Sequence, residues 1–340
     1  MTDTILVTGG LGYIGSHTCV ALAEAGHRLV VVDNLSNSKP AVLDRIRELA
    51  PGAAIAFHCA DLRDRETLEA IFAAQTIGAV IHFAGLKAVG ESVEKPLLYY
   101  DNNVGGSIAL LEAMARHRVR KLVFSSSATV YGEPERLPLT EAHPLRPASP
   151  YGKNKLVIEH ILADVASAEG RFAHAALRYF NPIGAHPSGR IGEDPRGTPN
   201  NLFPYLTQVA AGRLPKLRVF GGDYPTPDGT GVRDYLHVMD LAAGHLAALA
   251  FLEKKNKSIT VNLGTGRGYS VLETVRAFEK ATGVKVPYEI VERRPGDIAS
   301  CYADASLAAR ALRWRAKLGL DAMCRDAWRW QSTNPVGYPG

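Results

Sequence analysis

The chain has 340 residues, 46% hydrophobic and 21% charged, as is ordinary for a soluble globular protein with a sizeable core in one large or two smaller domains. Its net charge of +5 is dispersed, and the densest basic run, Arg116-His117-Arg118-Val119-Arg120-Lys121, reads as a helix C-terminus rather than a nucleic-acid patch. No apolar run is long enough to span a membrane, Met1-Thr2-Asp3 leads straight into a strand without a signal-peptide pattern, and Cys19, Cys59, Cys301 and Cys324 lack metal-like spacing, so a cytoplasmic protein with reduced thiols and no metal is expected.

Along the chain, residues 4–8 form a short apolar strand. It runs into Gly9-Gly10-Leu11-Gly12-Tyr13-Ile14-Gly15 and an amphipathic helix over 16–25, closed by Gly26. A strand, a glycine turn and a helix give the spacing of Gly9, Gly12 and Gly15 its meaning. Glycines let the backbone approach a pyrophosphate, which the helix N-terminus then holds. Residues 27–32 form the next strand, ending at Asp33. This acid is placed to accept from adenosine ribose hydroxyls and to repel a 2′-phosphate, so NAD is expected over NADP.

The alternation continues with a strand at 55–58, Asp64 as N-cap of a helix over 65–74, and a strand at 79–83. A long helix over 97–117 carries Asn102 and Asn103, and a strand at 121–124 delivers Ser125, Ser126 and Ser127. This pattern predicts an α/β fold, a doubly wound parallel sheet with helices on both faces. Ligands of such sheets sit beyond the carboxyl ends of the strands. Residues 9–15, Asp33, Asp61, 83–87 and 125–127 all lie at such ends. His58 and His82 read as packed residues, and Asn102, in a helix interior that disfavours Asn, implies a specific hydrogen bond.

Ser149-Pro150 reads as a helix start, N-cap then first helical position. Tyr151 and Lys155 would then share one helix face, with Tyr151 near the positive dipole end. Both the dipole and the lysine favour the phenolate, so the tyrosine pKa is expected below its free value of about 10, as a general base needs. Tyr-x-x-x-Lys alone describes many surface helices, and it is the rest of the chain that gives it weight. A strand over 175–179 follows. The stretch 182–200 is rich in Pro, Gly and charge, as a substrate-side loop would be. Helices are expected at 202–211, 240–252 and 271–282, strands at 217–220 and 259–263, and a loop at 224–231; 240–252 and 259–263 should pack back on the first domain. Trp314, Trp328 and Trp330 read as core or interface residues. No internal repeat or low-complexity segment is evident.

The glycine turn with Asp33-Asn34, the Tyr-x-x-x-Lys pair and an upstream Ser resemble the extended short-chain dehydrogenase/reductase superfamily. Within it, residues 82–92, 125–132, 178–182, 192–195 and 228–235 are similar to the UDP-glucose 4-epimerase family, over nearly the whole chain. The resemblance implies a Rossmann-like domain over 1–181, with 232–265 packing back on it, and a UDP-sugar lobe made mainly by 182–340. It implies Tyr151, Lys155 and Ser127 as catalytic residues. NAD would lie against Gly9, Gly12, Tyr13, Ile14, Gly15, Asp33, Asn34, Leu35, Ser36, Asn37, Ser38, Asp61 and Leu62. Phe83, Ala84, Gly85, Leu86, Lys87, Asn102, Tyr151, Lys155 and Phe180 would complete that site.

The UDP-sugar would meet Ser127, Tyr151, Tyr179, Asn181, Asn200, Asn201, Leu202, Val219, Phe220, Arg233, Arg294, Asp297 and Cys301 by the same resemblance. Arginine suits a diphosphate, because guanidinium makes forked hydrogen bonds. Cys301 stands where the family has a pocket-wall residue, Tyr in members restricted to glucose and galactose and smaller in those that accept N-acetylated sugars. Cys301 is then either an open wall, which adds a UDP-GlcNAc/UDP-GalNAc activity to the hexose one, or a small buried apolar residue whose gap a neighbouring side chain fills. Rival readings are UDP-glucuronate or UDP-pentose epimerases, a 4,6-dehydratase (whose members usually carry Asp-Glu after the Ser/Thr, where this chain has Ala128 and Thr129) and a non-catalytic NAD sensor. A homodimer is expected through the helices at 97–117 and 151–168, with Leu110, Leu111, Ile158 and Leu162 serving either as its apolar seam or as an internal core face.

Overall fold

The computed structural model describes residues 4–294 and 296–339; Met1, Thr2, Asp3, Pro295 and Gly340 lie outside the described residues. Its strands are β1 (Thr4–Thr8), β2 (Arg28–Asp33), β3 (Ile55–Cys59), β4 (Ile77–His82), β5 (Lys121–Ser127), β6 (Ala173–Tyr179), β7 (Asn181–Ile183), β8 (Leu217–Phe220), β9 (Val232–His237), β10 (Ile259–Leu263), β11 (Gly268–Ser270), β12 (Tyr288–Val291) and β13 (Ser300–Cys301). The helices are α1 (Tyr13–Glu24), α2 (Ala41–Leu49), α3 (Arg65–Ala74), α4 (Val89–Glu94), α5 (Pro96–Tyr99), α6 (Gly106–Arg116), α7 (Pro150–Ala168), α8 (Leu202–Ala210), α9 (Val238–Lys255), α10 (Val271–Thr282), α11 (Ser306–Ala311) and α12 (Leu320–Thr333).

Seven strands form one parallel sheet in the order β10-β6-β5-β4-β1-β2-β3. The order reverses between β1 and β4, which opens the crevice where such sheets bind ligands. Each face is covered by helices. Val7, Val31, Leu177 and Val261 point into one core with α1, α2 and α9. Leu6, Val30, Val80 and Phe124 point into the other with α3, α6 and α7. Alternate strand residues thus serve opposite faces, as the two-residue period requires. β10 pairs with β6 in this sheet and α9 lies on α1. A second core, around Phe203, Leu217, Tyr235, Phe278 and Met323, joins α8, α10, α12 and β9. There β9 pairs with β7, β11 and β13, while β8 pairs with β12.

The expected long helix over 97–117 is corrected. Pro96 starts a short helix, a π-helical turn occupies Tyr100–Gly105, and only Gly106–Arg116 is regular α-helix. Leu110, Leu111, Ile158 and Leu162 are all buried against the sheet, so of the two roles open to them the structure shows the internal core face. The exposed apolar side chains of this region are instead Val89, Val93, Leu97, Leu98 and Ile108. Trp314 and Trp330 are buried and Trp328 packs edge-on to Phe278. Among the described residues no helix is long and apolar enough to cross a membrane.

Candidate active site

The site begins where β1 ends. Gly9 has φ +66°, and a Cβ on it would stand 2.7 Å from Ala84 N, so only glycine lets the turn close against the end of β4. A Cβ on Gly15 would collide with the Gly9 carbonyl, whereas one on Gly12 would meet only Gly9 O at 3.3 Å. Gly9 and Gly15 therefore build the turn, and Gly12 leaves it open on its outer side. α1 starts there with no side-chain cap and no acid in its first turn. Its first N–H groups are left for an anion, the requirement a pyrophosphate imposes.

Asp33 closes the turn from β2. Its Oδ2 accepts from Leu11 N at 3.0 Å; its Oδ1 accepts from Leu35 N at 2.9 Å and Ser38 Oγ at 2.8 Å. The carboxylate thereby fixes both the glycine turn and residues 34–38. Asn34 donates to Asp61 at 3.1 Å, and Arg63 hydrogen-bonds to Asp61, which holds that carboxyl well below the usual range. Arg63 also reaches Asp101 at 2.6 Å, next to Asn102. Leu62 is buried under Gly106. Phe83 packs on His245 at 4.6 Å, and Lys87 pairs with Glu193 at 2.9 Å. His82 is a packed residue: its nitrogens bond Thr8 at 2.7 Å and Ser107 at 2.9 Å, and burial takes it down to about 3, so the ring is neutral.

The π-helical turn does what a regular helix would not, because it aims two adjacent asparagines at the end of β4. Asn103 Oδ1 accepts from Leu86 N at 2.8 Å and from Asn102 Nδ2 at 2.9 Å, while its Nδ2 donates to Leu86 O at 3.0 Å. Asn103 therefore holds the 84–87 loop. The Asn-Asn pair inside a helical stretch was its only sequence signal.

Ser127, Tyr151 and Lys155 meet between β5 and α7. Ser149 caps α7, accepting from Gly152 N at 3.2 Å, with Pro150 in the first turn. Gly152 allows close approach to Thr129 O, where a Cβ would stand at 2.8 Å. The Tyr151 phenol is turned towards Ser127, whose Oγ accepts from Thr129 N at 3.2 Å and Thr129 Oγ1 at 3.0 Å. Lys155 Nζ donates to Ser125 O at 2.7 Å and lies 5.8 Å from the Tyr151 ring centre. Behind it, Ser125 Oγ bonds the Tyr179 hydroxyl. The expected depression of the Tyr151 pKa is corrected. Burial pushes the phenol up to about 12 against the pull of Ser127, because removing the phenolate from water outweighs it. Burial also brings the Lys155 ammonium down to about 8, with Glu159 opposing.

On the other side of the crevice, Arg233 on β9 lies beside Cys301 on β13, in register. Cys301 packs with Val130, Tyr131 and Phe180, and burial raises its thiol to about 11. Arg294 lies 4.1 Å over the Phe220 ring, donates to Asn200 O at 3.5 Å, and pairs with Asp297 at 3.5 Å. Asn201 stands at the N-cap position of α8 ahead of Leu202 without a side-chain cap bond, and its Nδ2 donates instead to Glu193 at 3.3 Å. Asn181 is exposed on β7, whereas the Val219 side chain faces the second core. Glu193, within the matched stretch 192–195, and Asn103, noted on the 97–117 helix, were not among the site residues expected from the sequence. Among the described residues no group of three or more His, Cys, Asp or Glu side chains is placed to hold a metal.

A doubly wound sheet, an uncapped glycine turn before α1, and Ser, Tyr and Lys gathered beyond β5 define a short-chain dehydrogenase/reductase. A family model described as GDP-mannose 4,6 dehydratase matches residues 6–327. The chain is 60% identical over 334 residues to a UDP-glucose 4-epimerase of Bacillus subtilis, covering 98% of each. A UDP-glucose 4-epimerase structure from Stenotrophomonas maltophila, with bound NAD and formylated UDP-arabinopyranose, is 56% identical with a TM-score of 0.95, covering 97% of this chain and 98% of that one. One from Bifidobacterium longum, in complex with NAD+ and UDP, is 51% identical with a TM-score of 0.95, covering 98% and 100%. The chain belongs to the UDP-glucose 4-epimerase family.

The burial of Tyr151 is directly testable. In protein stripped of dinucleotide, ultraviolet difference titration against Tyr151→Phe should show no Tyr151 ionisation below about pH 10. A phenolate forming near neutrality in the stripped protein would mean that the dipole and Lys155 outweigh burial after all.

Proposed function

We propose that the protein interconverts UDP-glucose and UDP-galactose by NAD-dependent, reversible epimerisation at C4 through a 4-keto sugar. The observation that carries this reading is the Ser127, Tyr151 and Lys155 cluster beside a glycine turn fitted to a dinucleotide. Bound NAD supplies the hydride acceptor and, when oxidised, a positive charge that favours the Tyr151 phenolate. Tyr151 takes the proton from the sugar 4-hydroxyl and later returns it. Ser127 hydrogen-bonds the 4-oxygen as its charge changes. Lys155, kept close to the tyrosine by the Ser125 carbonyl, favours the phenolate and binds the nicotinamide ribose. The 4-keto sugar turns about its link to the diphosphate, held by Arg233 and Arg294, and presents its other face.

Residues 1–181 with 232–265 form the NAD-binding part in this reading, and 182–340 mainly the UDP-sugar lobe. Asp33 favours NAD over NADP, and the protein works in the cytoplasm without a metal. A 4,6-dehydratase would need an acid and a base after Ser127, but Ala128 has neither and Thr129 is bonded back to Ser127. Incubation with UDP-galactose should produce UDP-glucose without added reductant. Tyr151→Phe should keep its NAD and lose at least about 10²–10⁴-fold in rate, the range of general-base contributions. Near-wild-type turnover by that variant would rule out the base, and a wild type that holds NAD yet turns over no UDP-hexose would be a sensor.

A homodimer through the α4–α7 side is part of the proposal, because Leu97 is 82% exposed and Val93 62%, and both border this face. Light scattering should give a dimer mass that Leu97→Asp halves, whereas a monomeric wild type would end the idea. Cys301 adds substrate breadth. A Tyr ring would fill the space an acetamido group on C2 needs, and the smaller Cys side chain would not. Wild type should therefore also interconvert UDP-GlcNAc and UDP-GalNAc, and Cys301→Tyr should remove that activity while sparing the hexose one. Equal loss of both activities, or no N-acetylhexosamine turnover by the wild type, would defeat the volume argument.

A further inference from the structure

Between β7 and α8 the chain leaves the sheet and returns across the first lobe. Residues 192–196, in the middle of this crossing, touch both ends of the dinucleotide groove. At one end the Glu193 carboxylate, whose side chain is 10% exposed, accepts from Lys87 Nζ at 2.9 Å and from Asn201 Nδ2 at 3.3 Å. It thus stands between a residue of the cofactor set and one of the substrate set. At the other end Arg196 Nη2 donates to Leu35 O at 2.9 Å and Ser38 O at 3.2 Å, on the loop that Asp33 shapes. A narrow cleft of about 20 Å³ lies under this crossing, walled by Leu11, Tyr13 and Ser38 below and by Gly192, Asp194 and Tyr338 above.

The crossing is held down from the far end of the chain. Gly192 N–H donates to the Tyr338 hydroxyl at 3.0 Å, and that hydroxyl donates to Gly192 O at 3.2 Å. Asp194 accepts from Tyr338 N–H at 3.0 Å and lies 3.1 Å from Lys39 Nζ, which itself donates to Tyr338 O at 2.8 Å. Trp330 packs on Tyr338 with ring centres 4.5 Å apart and donates to Glu193 O at 3.2 Å. A Cβ at Gly192 would strike the Trp330 ring, so glycine is what lets the crossing lie flat on it. None of these bonds belongs to a strand ladder or a helix, and together they fasten one five-residue segment to both ends of the groove.

We infer that residues 192–196 are a strap closing the dinucleotide groove, with Glu193 and Arg196 as further cofactor-site residues and Tyr338 as the latch. The inference rests on the NAD-binding reading above. An epimerase restores its NAD in every cycle, so exchange of the cofactor serves no purpose. A strap bonded at both ends has to open before the dinucleotide leaves, and those contacts therefore act on the release rate.

The test is cofactor release. Wild type, Tyr338→Phe and Arg196→Ala are loaded with radiolabelled NAD, freed of excess and chased with unlabelled NAD. Tyr338→Phe keeps the ring on Trp330 and loses only the two bonds to Gly192. Each variant loses two hydrogen bonds of the closed strap and should release label about tenfold faster or more. Release from both variants at the wild-type rate would overturn the strap. So would a Tyr338→Phe protein that melts lower when stripped but releases at the wild-type rate, the signature of a purely structural anchor. A wild type that holds no NAD at all would instead bring down the reading of the groove, and the strap with it.

Discussion

The interaction on which the site depends is the ion pair of Glu159 and Arg178. Both side chains are almost fully buried, 7% and 6% exposed, with Arg178 Nη2 at 2.6 Å from Glu159 Oε2. Glu159 is on α7, one helical turn beyond Lys155, and Arg178 is on β6 beside Tyr179. Ser126 of β5 donates to Glu159, and Arg178 also reaches the Tyr131 hydroxyl, which bonds Asn262 of β10 at 2.6 Å. One ion pair therefore ties together the helix and the strands that carry Ser127, Tyr151, Lys155 and Tyr179. Buried pairs add little net stability over apolar packing, but losing one partner costs about 3–5 kcal/mol, because the other is left charged in the core. What the pair provides is register, as α7 cannot slide along the sheet without breaking it.

That rigidity accounts for the electrostatics above it. Burial is the largest influence on both Tyr151 and Lys155, raising one and lowering the other. The two groups, nearly equal in proton affinity in water, are driven apart to about 12 and about 8, so the phenol keeps its proton to higher pH than the ammonium. Neither is driven by a single charged neighbour; the enclosure made by α7, β5 and β6 does it. In the first half of the groove the logic is the reverse. Arg63 and Asn34 hold Asp61 in its charged form, and Asp33 uses both carboxylate oxygens to shape the loops around it.

Much of the fold was legible because the decisive signals are local. Helix α3 lies where Asp64 predicts it, with Asp64 accepting from Thr67 N at 3.1 Å, and β8, β10 and α10 have the expected bounds. Helix α10 is framed by a capping box from Ser270 and Glu273 and by Gly283 at φ +73°. Non-local features were not legible. Helices α2 and α12 and strands β9, β11 and β13 were not anticipated; β11 and β13 are pieces of three and two residues, and all three strands pair with partners far along the chain. The π-helical turn at Tyr100–Gly105 reads as ordinary helix because the stretches on either side of it are helical, although Asp, Asn, Val and Gly are themselves weak helix formers. Its cause is tertiary, the bonds Asn103 makes to Leu86. The protonation of Tyr151 was misjudged for the same reason. A sequence displays the dipole and the lysine but not how deeply the ring is buried.

Asn154, between Tyr151 and Lys155, shows how the two halves of the site are coupled. It is completely buried; its Oδ1 accepts from Asn103 Nδ2 at 3.4 Å, and its Nδ2 has no partner among the described residues. Asn103 in turn holds Leu86 on the loop that carries Lys87. The chain of contacts therefore runs from α7 through two asparagines to the 84–87 loop, and from Lys87 through Glu193 to Asn201. An enzyme that must present both faces of one sugar to one cofactor needs the cofactor and the base immobile relative to each other, so that only the sugar turns. The polar core beneath α7 and the asparagine bridge above it meet that requirement from opposite sides, and they leave the freedom to move with the substrate.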